Sequence, residues 1–215
     1  MNESEKLSHE LQDIKQIMER SSRFISLSGL SGISAGVCAL IGAWFAESAI
    51  KQKHYLVTEL RQSSLHINSV INGNVLQNQL LQIGAVTFIV AFLTAFFFTY
   101  QRSKKSNVPI WGTTARRLLI NVCIPMMVGG IFLFAMMQNG IYDFVAAGCL
   151  IFYGLGVVNA SKYTLPETRY LGYGEIILGL ISLFFVGGGI YFWAAGFGIL
   201  HIIYGVFMWM KYERS

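Results

Sequence analysis

The chain has 215 residues, 54% of them hydrophobic and only 13% charged, with a mean hydropathy of +0.53. A soluble domain carries about a quarter charged residues, so half that share with long apolar runs points to lipid as the solvent. The net charge of +5 does not indicate a nucleic-acid partner, because the cations fall in short connections between apolar runs, where topology signals belong.

Residues 1–22 are polar but patterned. Leu7, Leu11, Ile14 and Met18 recur at helical spacing, with Glu5, Glu10, Asp13 and Glu19 among the polar positions. A helix lying on a membrane surface favours Lys and Arg on its polar face. This acidic segment therefore reads as a short cytosolic amphipathic helix that packs on the protein's own loops or on a second copy. The first apolar run is longer than a signal-peptide core and follows an acid-rich lead, so it is expected to be a retained helix.

Six apolar runs follow, at about residues 24–46, 80–100, 118–137, 141–158, 170–187 and 190–210. Each approaches the ~20 residues that cross a 30 Å hydrocarbon core. The expected fold is all-α: a polytopic bundle of six transmembrane helices over residues 23–215, readable as three helical hairpins. Residues 47–79 form an extracytoplasmic loop, with Leu56, Leu60, Ile67 and Ile71 at helical spacing and a turn signal at Asn72, Gly73 and Asn74.

Of the 16 basic residues, only Lys51, Lys53 and Arg61 lie in that outer loop. The others cluster in the N-terminal segment, in 101–117, in 159–169 and at the C-terminus. The Gln138–Asn139–Gly140 turn and the glycine turn at 187–189 carry none. The positive-inside rule then puts both termini in the cytoplasm. Trp44 and Trp193 fit the outer interface, and Tyr100, Trp209 and Tyr212 the inner one.

Helix association in lipid depends on close backbone approach. Ser28, Gly32 and Gly36 lie four apart in the first run, and Ala35, Ala39 and Ala43 form a second small-residue row. The row serves packing within the bundle or contact with another copy. Pro125 interrupts the third run and leaves the Asn121 carbonyl without its helical donor, so a kink is expected there. Asp143 is placed to cap the fourth helix.

Ionisable groups inside a membrane are costly and are functional candidates by default. Glu175 lies about 7 Å inside the inner interface at helical rise, Asn121 and Tyr204 at comparable depth, and His201 nearer mid-membrane. Depth permits one polar cluster of Glu175, His201, Asn121, Tyr204 and Tyr173. A carboxylate and an imidazole in a dry site can exchange a proton near neutral pH. The alternative is structural: Glu175 bonded to a tyrosine or to interfacial arginines, and His201 to a backbone carbonyl.

No cofactor or metal is indicated. Cys38, Cys123 and Cys149 lie in apolar runs without ligand spacing, His54 and His66 stand twelve apart, and no nucleotide, hydrolase or zincin motif occurs. The stretches YLGYGEIILGLISLFF and GFGILHIIYGVFMWMKYER, within residues 162–214, resemble uncharacterised small six-helix bacterial inner-membrane proteins. That resemblance implies an inner-membrane location and carries no activity. Two functional readings stand: a non-enzymatic scaffold or regulator, and a small-solute or proton-linked transporter using the Glu/His/Asn cluster. An embedded enzyme would need a nucleophile–base pair, and none can be assembled.

Overall fold

The computed structural model describes residues 28–62, 73–106 and 110–214. The amphipathic segment 1–22, the start of the first apolar run and the tip of the outer loop lie outside the described residues. Those described form helices and turns, with no strand among them. In chain order they are α1 (Gly29–Gln62), α2 (Gly73–Ser106), α3 (Thr113–Gln138), α4 (Val145–Ala160) with a 3-10 turn at Ser161–Tyr163, and α5 (Thr168–Ser182). A last rod joins α6 (Gly189–Trp193), a π-helical stretch (Ala194–Leu200) and α7 (His201–Tyr212).

Five helical stretches among the described residues are long and apolar enough to cross a membrane: Gly29–Glu59, Val75–Ser106, Thr113–Gln138, Val145–Tyr163 and Gly189–Tyr212. Helix α5 has 15 residues, roughly 22 Å at helical rise and short of a 30 Å core. Helices α1 and α2 have 34 residues each, about 50 Å, so they run well past such a thickness. They pack antiparallel, since Cys38 meets Thr94 while Gly42 meets Thr87.

The turn expected at residues 72–74 is not seen at its last two positions. Gly73 and Asn74 belong to α2, and residue 72 lies outside the described residues. Tight turns close the other two hairpins. Gly140 and Gly187 take positive φ, 77° and 85°, a region that a Cβ disfavours. Asp143 does not cap α4: its N-cap is Phe144, with no side-chain cap hydrogen bond. The carboxylate stands one residue too early.

The helices form a chain of neighbours rather than a closed ring. α2 lies on α1, α1 on the last rod, the rod on α5 and α4, and α4 on α3. α2 and α3 are therefore the flanks: 6% and 11% of their most apolar stretches are buried, against 39% for α1 and α4.

Small residues explain the contacts. A Cβ on Gly29 would strike the backbone of Gly205 and Trp209, and one on Gly36 would come within 2.6 Å of the Gly198 carbonyl. Gly32 faces Gly205 at 3.1 Å by the same measure. The row at Ser28, Gly32 and Gly36 thus packs on this chain's own last rod. The α4–α5 seam repeats the device, with Gly154 against Gly172 and Gly179 against Ala147. Ala39, Ala43, Ala46 and Ala49 are buried along α1.

Candidate functional site: a sealed carboxylate and its imidazole

Helix α5 turns one face into the α4 and last-rod seam. Thr168, Glu175 and Ser182 are all buried there, seven residues apart. Seven residues are nearly two helical turns, so the three share a stripe at ~10.5 Å intervals. Glu175 is 0% exposed.

Opposite it stands His201, the first residue of α7, with Nδ1 3.1 Å from Glu175 Oε1. The same Nδ1 lies 3.1 Å from the Gly196 carbonyl oxygen, five residues earlier. An atom facing two acceptors carries a hydrogen, which assigns the tautomer. Nε2 meets the Tyr153 hydroxyl of α4 at 2.8 Å. With neutral imidazole Tyr153 donates, and with imidazolium it accepts. Three helical elements thus contribute one continuous Tyr153–His201–Glu175 contact.

The glycine-rich π stretch makes room for it. A Cβ on Gly196 would sit 2.5 Å from Glu175 Oε2 and would also collide with Leu150. π-helical turns widen the backbone locally and are frequent at functional sites. Yet the site is incompletely satisfied. The Nδ1 hydrogen is directed at Gly196, and neither carboxylate oxygen of Glu175 receives a hydrogen bond among the described residues. A buried acceptor left without a donor costs about 1–3 kcal/mol, and a charged one more.

Of the other candidates, Tyr204 shares this seam while Tyr173 and Asn121 do not. The Tyr204 hydroxyl lies one turn beyond His201 and bonds the Thr168 hydroxyl at 2.9 Å. Tyr173 is 46% exposed, on the far side of α5 from the buried stripe. Asn121 belongs to the α3–α4 seam: its amide donates to the Arg117 carbonyl at 2.8 Å, and its own Oδ1 and carbonyl accept from Asn159 Nδ2 at 3.0 and 3.2 Å. The second bond fills the vacancy that Pro125 creates. Structure therefore brings Glu175, His201 and Tyr204 to one seam, adds Tyr153, and leaves Asn121 and Tyr173 outside it. Two features of Tyr153 were legible, its place in an apolar run and its neighbouring glycine, but nothing local pairs it with His201.

The surroundings of the pair differ at its two ends. Toward the C-terminal end of the rod, Glu167 accepts hydrogen bonds from Lys211 and, at 3.0 Å, from the Tyr212 hydroxyl. Toward the opposite end lie Leu150 and Ala147, 0% and 1% exposed, and a run of rings in which Phe197 contacts both Tyr153 and Trp193. A separate apolar groove of about 230 Å³ lies between α1 and α2, lined by Phe45, Gln82, Ile83, Val86 and Thr87. No group of three or more His, Cys, Asp or Glu side chains suited to a metal ion occurs among the described residues. No protein-family model, curated protein or solved structure matches the chain.

Proposed function

We propose that this is a non-enzymatic membrane protein with six spans, acting by contact as a scaffold or regulator, whose packing is governed by the proton held between Glu175 and His201. In this reading α5 is the fifth of the six spans, extended by the turns through Phe185, and both termini face the cytoplasm of a bacterial inner membrane. The bias of basic residues toward the even-to-odd connections, at 101–117 and 159–169, supports that orientation.

One observation carries the proton reading: a carboxylate with no exposed surface, no hydrogen-bond donor and an imidazole at 3.1 Å. Ionised Glu175 beside neutral His201 leaves a net negative charge in a dry seam. One added proton makes the pair neutral in sum and supplies the missing attraction. Proton uptake therefore tightens α5 against the last rod, and loss loosens it. Hydrogen exchange of α5 in lipid nanodiscs tests this. Once the intrinsic pH dependence of amide exchange is divided out, protection around Glu175 should be several-fold greater with the pair proton-loaded in acid than in alkali, and Glu175→Gln should flatten that difference. An unchanged profile in the variant would remove Glu175 from the mechanism.

Proton-linked movement of a small solute is the second reading and would use the same pair. It requires an opening onto Glu175, which has no exposed surface in this conformation.

A further inference from the structure

We propose that protons reach the Glu175–His201 pair from one end only, the end carrying the C-terminus, through the Thr168 and Tyr204 hydroxyls. The inference rests on the proton reading above and adds the route and its direction.

The polar groups on that side form a graded series. Lys211 stands at the surface, about half exposed, over a largely covered Glu167. The next residue on α5, Thr168, is buried and joined to Tyr204 at 2.9 Å. Tyr204 follows His201 by three residues on α7, ~4.5 Å further along the helix axis toward that end, and the route places one water between its hydroxyl and the Tyr153–His201 contact. His201 then reaches Glu175 at Nδ1 and Tyr153 at Nε2. The titratable groups facing Glu175 from the elements packed on it are thus Tyr153 of α4 and His201 of α7, with Tyr204 one turn on.

The series stops at Glu175. On the other side the next layer is Leu150, Ala147 and the contacting rings of Tyr153, Phe197 and Trp193. Ser182 is the next buried polar side chain on the α5 stripe, nearly two turns away. A proton hops between hydroxyls, waters and imidazole nitrogens but does not cross a layer of leucine and phenylalanine.

Transfer balances along the series. A proton from the aqueous phase joins the Thr168 oxygen as that hydroxyl passes its own hydrogen to Tyr204. Tyr204 hands its hydrogen to a bridging water, and the water delivers one through the Tyr153 hydroxyl to Nε2. Every hydroxyl ends neutral. The imidazole becomes imidazolium, with Nδ1 still protonated toward Gly196 and Glu175.

Infrared difference spectroscopy on the full chain, in sealed vesicles of uniform orientation, tests the route. The Glu175–His201 signal is the pH-dependent carboxyl and imidazole change that Glu175→Gln removes. A pH jump on the C-terminal side should elicit it promptly, and a jump on the opposite side should not. Thr168→Val and Tyr204→Phe, which delete only hydroxyl function, should each slow it by about tenfold while leaving its end point at equilibrium unchanged. Ser182→Ala should leave the rate as it was. A Glu175-dependent signal that answers equally to either side, or keeps its rate in both hydroxyl variants, would overturn the route alone. Absence of any pH-dependent signal removable by Glu175→Gln would overturn the proton reading itself.

Discussion

At the level of single residues, the surface ion pair Glu167–Lys211 and the sealed pair Glu175–His201 obey the same electrostatics under opposite solvation. Burial alone would raise the Glu167 carboxyl, but hydrogen bonds from Lys211 and Tyr212 outweigh it and hold the group below the ordinary carboxylate range. A carboxyl depressed in the folded state contributes stability at pH values above its unfolded pKa. That contribution is lost as pH falls through the folded value. Glu167→Gln should therefore lower the detergent-solubilised melting temperature at pH 7, with the deficit shrinking as pH falls below the ordinary carboxylate range. The difference in thermal unfolding between variant and native chain across that range measures it. Position along a helix made Glu175, His201 and Tyr204 visible in the chain, because depth follows from rise per residue. Tyr173 is two residues from Glu175, about 200° around the helix. A shared depth therefore concealed an opposite face.

Among elements, α3 illustrates how a defect in one helix is repaired by the next. Pro125 removes the N–H that would bond the Asn121 carbonyl, and Asn159 of α4 donates to it instead. Asn159→Leu should destabilise the α3–α4 hairpin by about 1 kcal/mol, the scale of interhelical hydrogen bonds in membranes. In a Pro125→Ala background the helix regains its own donor, and the same change should cost measurably less. A double-mutant cycle from unfolding in mixed micelles gives the coupling; strict additivity would mean that the Asn159 bond does not compensate for the proline. The need for a partner at that carbonyl was readable from Pro125, but its identity was not. Residue spacing specifies where a helix needs a donor, whereas which neighbour supplies it depends on how helices are ordered in space. The π-helical stretch escaped reading for a related reason. Ala194–Leu200 has no composition that separates it from α-helix, and its register makes sense only once Glu175 is seen filling the space beside Gly196.

For the molecule as a whole, the positive charges and the apolar runs carry most of the legible information. The helical class and the tight glycine turns follow from periodicity and backbone chirality. The length of α5 does not, since apolar residues continue through Phe184 and Phe185 after the regular helix has ended at Ser182. Six spans and five give different topologies for the C-terminus relative to the start of α1. Single cysteines placed at Tyr55 and at Arg214, in a background lacking Cys38, Cys123 and Cys149, separate them. A membrane-impermeant maleimide should label the first on intact spheroplasts and the second only after lysis. Labelling of both from outside would indicate an odd number of crossings.

The junction of the two ends of the fold has a consequence for assembly. Glu213 accepts from the Ser28 hydroxyl at 3.2 Å and from the Gly29 backbone N–H, and it pairs with Arg102 of α2. The start of α1 and the end of α2 are thus fastened by a side chain that lies 184 residues beyond Gly29. Vectorial synthesis makes both long helices before Glu213 exists, so they first meet only through contacts such as Cys38 with Thr94 and Gly42 with Thr87. The clasp closes later, when the last rod docks against a hairpin assembled without it.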